Sequence, residues 1–145
     1  LAITNILEGK KDPVYKPGNQ VREWLHVEDH CTAIDLILQK GKIGETYFVG
    51  PNNPELSNLE VIKKLLVLMD KGDDWIEFVG DRPGHDLKYA LDHSKISNEL
   101  GWQPKYQIEE TLKIMIDWYS TNQDWWKKIK NGEYQEYYDK QYKTT

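Results

Sequence analysis

Two periodicities meet in the stretch Val21-Arg22-Glu23-Trp24-Leu25-His26-Val27-Glu28-Asp29-His30-Cys31-Thr32-Ala33-Ile34-Asp35-Leu36-Ile37-Leu38-Gln39-Lys40. Residues 23–26 read as a short strand. From Val27 the positions Val27, Cys31, Ile34 and Leu38 recur on one stripe of a helix. Gly41 stops that helix after about Lys40, as glycine commonly does at a helix end. A strand running straight into a helix is the unit from which α/β proteins are built.

Working outward, the alternation continues. Leu59, Ile62, Leu65, Leu66 and Met69 mark a second helix, with Ser57 and Glu60 at capping-box spacing before it. Ile108, Leu112, Met115, Ile116 and Tyr119 mark a third. A short helix over residues 94–100 ends at Gly101, with Pro104 just beyond. Strand-like pieces fall at 13–15, 23–26, 45–49, 76–79 and 87–90, flanked by turn-rich runs such as Lys16-Pro17-Gly18-Asn19. The class is α/β. Residues 1–145 make one domain, with 123–145 as a helical arm rich in aromatics; Trp125 and Trp126 are assigned to the core. The first residues read as a helix in progress without a cap, the expectation for a chain that starts inside a longer protein.

Composition narrows the function classes. Hydrophobic residues are 39% and charged residues 30% of the chain, ordinary for a globular domain. No apolar run approaches the roughly 20 residues that span a bilayer. Acidic and basic residues are intermixed at a net charge of −5, which argues against a nucleic-acid partner. The lone Cys31 cannot form an internal disulfide, which points to a reducing cytoplasm. Of the 19 basic residues only Arg22 and Arg82 are arginine, the side chain whose rigid fork suits phosphate.

The densest chemistry lies in Asp81-Arg82-Pro83-Gly84-His85-Asp86, directly after a strand. Pro83 fixes a dihedral and Gly84 permits a tight turn, so a guanidinium and an imidazole are presented together at a strand end. A surface turn closed by an Asp–Arg pair fits the same residues, and both readings stay open at this point. Arg22 is a second phosphate candidate, or a partner of Glu23 or Glu28. His26, His30 and Cys31 lack the zinc-protease spacing, because Val27 stands where glutamate is needed. No metal site is expected. Neither a glycine-rich dinucleotide loop nor a Gly-x-Ser-x-Gly elbow nor a Tyr-x-x-x-Lys pair occurs.

Several strings together resemble the dTDP-glucose 4,6-dehydratases, within the extended short-chain dehydrogenase/reductases. They are Pro13-Val14-Tyr15, Val21-Arg22-Glu23-Trp24-Leu25-His26-Val27-Glu28-Asp29-His30, Gly44-Glu45-Thr46-Tyr47, Asp81-Arg82-Pro83-Gly84-His85-Asp86, Glu99-Leu100-Gly101-Trp102-Gln103-Pro104 and Asp117-Trp118-Tyr119. The match is to the C-terminal part of that family. It implies a substrate-binding domain whose Rossmann half, absent here, holds NAD and the catalytic groups.

By that resemblance Pro13 and Tyr15 line the nucleotide pocket and Arg22 contacts the diphosphate. Asn58 bonds the nucleotide side, Arg82 and His85 grip the diphosphate end, and Tyr134 closes over the sugar nucleotide. The implied ligand is a dTDP-sugar, and the implied partners are the Rossmann half and a second subunit. The implied reaction takes a hydride from sugar C4, loses water across C5 and C6, and returns the hydride to C6. A free-standing binding module and a related epimerase are the competing readings. Lys16-Pro17-Gly18, Phe48, Pro51 and Leu87-Lys88 depart from the family's usual residues.

Overall fold

The computed structural model describes residues 1–81 and 83–133. Strand β1 (Asp12–Tyr15) pairs in parallel with β4 (Ile76–Val79), in a register that sets Asp12 beside Ile76 and Tyr15 beside Val79. Parallel partners need a long crossover. Here it contains β2 (Val21–Arg22), helix α2 (Val27–Lys40), β3 (Leu56–Ser57) and α3 (Asn58–Leu68). β2 and β3 form a two-residue antiparallel pair, Val21 beside Ser57, and Lys88 bridges to Val21 on the other side. Along β1 burial alternates: Asp12 and Val14 face inward, Pro13 and Tyr15 outward.

The main core lies among α1 (Ala2–Leu7), α3 and α5 (Ile108–Thr121), where Ile3, Ile6, Val61, Leu65, Leu66, Ile108 and Leu112 are buried together with Leu56. α3 starts where the sequence placed it. The Ser57 hydroxyl accepts from Glu60 N at 3.2 Å, and Ser57 N donates to the Glu60 carboxylate at 2.7 Å. A smaller core joins α2 to α4 (Ser94–Leu100) through Ala33, Ile96 and Trp102. Asp29 is only 1% exposed, yet its oxygens accept from the main-chain N–H groups of Lys105 (3.0 Å) and Tyr106 (3.1 Å). Those donors are what makes burial of the carboxylate tolerable. The chain continues through α6 (Gln123–Lys128) and a π turn at 129–133, so the start of the arm is helical.

Five expectations need correction. Helix α2 has the predicted bounds, but its predicted stripe faces outward: Val27 is 61%, Ile34 46% and Leu38 81% exposed, and Cys31 is exposed too. The covered side is Asp29 and Ala33, with Leu36 and Ile37 half-buried. α2 carries apolar residues on two sides, and periodicity cannot say which one Trp102 and Ile96 cover. The strand expected at 23–26 is absent: β2 is Val21–Arg22, and residues 23–26 pair with no strand among the described residues. Residues 45–49 pair with no strand among the described residues, although Tyr47 and Val49 turn inward and Phe48 outward as in a strand. Residues 87–90 contribute one bridge instead of a strand. Trp126 is buried as expected, whereas Trp125 is largely exposed.

Burial of Asp12 pushes its carboxyl above the ordinary value, only partly offset by the bond from Asn5 Nδ2 at 3.2 Å. A raised folded value means that Asp12 favours the fold while protonated and costs stability as pH rises through that value. Asp12→Asn keeps an acceptor for Asn5 and removes the charge. The expected result is a higher Tm than the parent at pH 7, with the difference vanishing as pH falls to the usual carboxylate range. Thermal melts at pH 3.5 and pH 7 check it.

Candidate functional site

β1 and β4 end side by side, and Lys16 N donates to Val79 O at 3.0 Å, so the chain leaves both strands at one edge. The segment after β4 carries Asp81 and His85. His85 Nδ1 lies 2.6 Å from Asp81 Oδ1, and the imidazole side chain is only 6% exposed. Gly84, at φ +69°, makes the turn that brings these two residues back together. The His85 ring stands edge-on to Tyr15, with centroids 5.5 Å apart. Pro13 lies on the same outward face of β1 as Tyr15.

Arg22 reaches this edge from β2. Its Nη1 donates to Val21 O (2.6 Å), its Nη2 to Asp86 O (2.9 Å), and its guanidinium stacks 4.5 Å from the centre of the Tyr89 ring. The Tyr89 hydroxyl in turn donates to the Asp86 carboxylate. Among the described residues no carboxylate pairs with Arg22: neither Glu23 nor Glu28 does so. Glu23 instead accepts from Leu91 N, and Glu28 accepts from the Tyr106 hydroxyl. The cation is therefore aimed by neutral carbonyls and an aromatic face, with its charge left for an anion.

Asn58 is the first residue of α3, and its N–H donates to Gln20 O at 2.9 Å. Gln20 is 3% exposed and its Nε2 donates to Asp81 Oδ2 at 3.2 Å. Its placement depends on Gly18, at φ +84°, where an added Cβ would come within 2.9 Å of Leu59 Cβ. Tyr15 and His85 are thus in ring contact, Arg22 is tied to the same segment through Asp86 O, and Asn58 is linked to Asp81 only through its main-chain N–H on Gln20. Arg82 and Tyr134 lie outside the described residues. Of the departures, Leu87 is exposed and Lys88 pairs with Glu55 at 2.6 Å.

Sequence reasoning missed Gln20 and Tyr89 and gave the acidic residues of the 81–86 loop no role beyond an ion pair with arginine. A lone glutamine between a turn and a strand has no periodic signature, and Tyr89 was read only as part of a strand. The one available signal was that Asp81 and His85 stand four apart across Pro83-Gly84.

Neither helix N-terminus on the crossover suits a dinucleotide pyrophosphate. α2 opens with Glu28 and Asp29, and the first turn of α3 is occupied by its own Glu60. Among the described residues no cluster of three His, Cys, Asp or Glu side chains can hold a metal ion. His26 is instead the N-cap of α2, accepting from Glu28 N and stacked on Tyr106. No described helix is long and apolar enough to cross a membrane.

The family model described as GDP-mannose 4,6 dehydratase matches residues 1–115. The chain belongs to that family. A dTDP-glucose 4,6-dehydratase of Xanthomonas campestris pv. campestris is 45% identical over 143 residues, covering 92% of this chain and 40% of the relative. A structure of dTDP-glucose 4,6-dehydratase from Bacillus anthracis in complex with NAD is 48% identical with a TM-score of 0.83, covering 88% of this chain and 40% of that one. The Streptomyces venezuelae dTDP-glucose 4,6-dehydratase DesIV, with NAD and TYD bound, is 40% identical with a TM-score of 0.85, covering 88% and 39%. The chain spans about 40% of the length of these relatives. The α/β fold is that of the matching part of these dehydratases, and the resemblance read from the residue strings holds.

Proposed function

We propose that this chain is the nucleotide-sugar-binding portion of a dTDP-glucose 4,6-dehydratase, a lyase that as a whole converts dTDP-glucose to dTDP-4-keto-6-deoxyglucose using NAD. The observation that carries the reading is Arg22, whose guanidinium is fixed by Val21 O, Asp86 O and the Tyr89 ring with no carboxylate partner among the described residues, on the segment that also carries His85. A fork aimed in this way suits the diphosphate, and the outward face of Pro13 and Tyr15 suits the base. Arg82 and Tyr134 join this site by resemblance.

NAD finds no seat on the crossover, where the N-termini of α2 and α3 are occupied by their own carboxylates. We assign NAD and the proton-moving groups to a separate Rossmann half. This chain binds and orients the nucleotide end, and binding energy gained there positions the sugar for reaction. We assign to that half the outward apolar stripe of α2 and the 45–49 segment, which pairs with no strand among the described residues. The whole enzyme is assigned to the cytoplasm as a homodimer.

Calorimetric titration of the 145-residue chain tests the reading. Thymidine diphosphate is expected to bind, thymidine monophosphate more weakly, and NAD not at all, with no turnover of dTDP-glucose. An absence of thymidine diphosphate binding, or NAD binding in its place, overturns it.

A further inference from the structure

Gln20 poses a physical question that packing does not answer. It is 3% exposed, and its Oε1 is buried with no hydrogen-bond partner among the described residues. An orphaned acceptor in such a place costs free energy, so an apolar residue would serve stability better. What the amide does achieve is a contact across 61 residues of sequence: Nε2 donates to Asp81 Oδ2, while Asp81 Oδ1 faces His85 Nδ1 at 2.6 Å. Both oxygens of one carboxylate are thereby engaged from two segments, which fixes its plane. An ionised carboxylate only accepts, so the His85 nitrogen facing it must carry the proton.

We propose that Gln20 is a positioning residue of the nucleotide site: its buried amide orients Asp81, and Asp81 holds His85 in the Nδ1–H tautomer, leaving Nε2 as the atom that meets the ligand. This rests on the reading that the Tyr15, Arg22 and His85 cluster takes a nucleoside diphosphate. Neutral, Nε2 accepts from a ligand hydroxyl; protonated, it donates to a phosphate oxygen. The Tyr15 edge contact limits rotation of the same ring, so tautomer and direction are set together.

The experiment is nitrogen NMR on the 145-residue chain labelled with 15N-histidine, with the His85 signals assigned by their loss in His85→Ala. In its neutral form the parent imidazole is expected to show a protonated Nδ1 and an unprotonated Nε2. Gln20→Ala should shift His85 toward the Nε2–H tautomer and weaken thymidine diphosphate binding about tenfold per folded molecule, the scale of one well-placed hydrogen bond. Gln20→Glu preserves shape but sets a second carboxylate against Asp81. It should disturb the tautomer as well, whereas a packing role would leave the tautomer untouched. An unchanged His85 tautomer in both variants overturns the proposal. A parent that shows the expected tautomer but binds no thymidine diphosphate overturns the nucleotide reading instead, so the two failures are distinguishable.

Discussion

Arg22→Ala is expected to weaken thymidine diphosphate binding by about 2 kcal/mol, the low end for removing one partner of a charge pair at a partly buried site. That is roughly thirtyfold in Kd. Arg22→Lys should recover only part of the loss, because an ammonium cannot reproduce a fork that grips two oxygens. The structure adds a cost that the sequence did not reveal. Arg22 ties β2 to the segment after Gly84 through Asp86 O and the Tyr89 ring, so the alanine variant should also lose some thermal stability. Affinity must therefore be measured per folded molecule, well below Tm. If Arg22 were only a structural brace, Tm would fall while affinity per folded molecule stayed at the parent value, and the diphosphate assignment would fail.

The same residue shows why a site can be legible in sequence when its supports are not. Arg22 and His85 announce themselves because arginine is scarce in this chain and because Asp81-Arg82-Pro83-Gly84-His85 compresses several functional residue types into one turn. Gln20 and Tyr89 announce nothing, because their roles exist only after two distant segments meet. The fold divides along a similar line. The bounds of α2, the capping box of α3 and the Gly101 stop of α4 are written in local chemistry, and the structure has all of them. Which side of α2 is covered depends on Trp102 and Ile96, some 60 to 70 residues downstream. Whether 45–49 becomes a strand depends on a partner strand, and none lies among the described residues. Periodicity records what a segment is able to bury, and the outcome depends on what arrives to cover it.

The outward stripe of α2 carries the last expectation. Ile34 and Leu38 lie one helical turn apart on a face that stays exposed in this chain. Fully burying a side chain of this kind contributes roughly 1.5–3 kcal/mol. Because Ile34 is already partly covered, the pair should supply about 3 kcal/mol to an interface, more than a hundredfold in affinity. The double substitution Ile34→Glu with Leu38→Lys replaces that surface with an exposed ion pair at favourable helical spacing. Sedimentation of the parent chain should show self-association through this face, and the double variant should run as a monomer with nearly the same Tm, as expected for surface positions. Mixed with a separately produced Rossmann half of a dTDP-glucose 4,6-dehydratase, the parent should restore turnover of dTDP-glucose and the double variant should not. A double variant that complements as well as the parent would remove α2 from the interface, and with it the account of why a helix in this chain carries apolar residues on two sides.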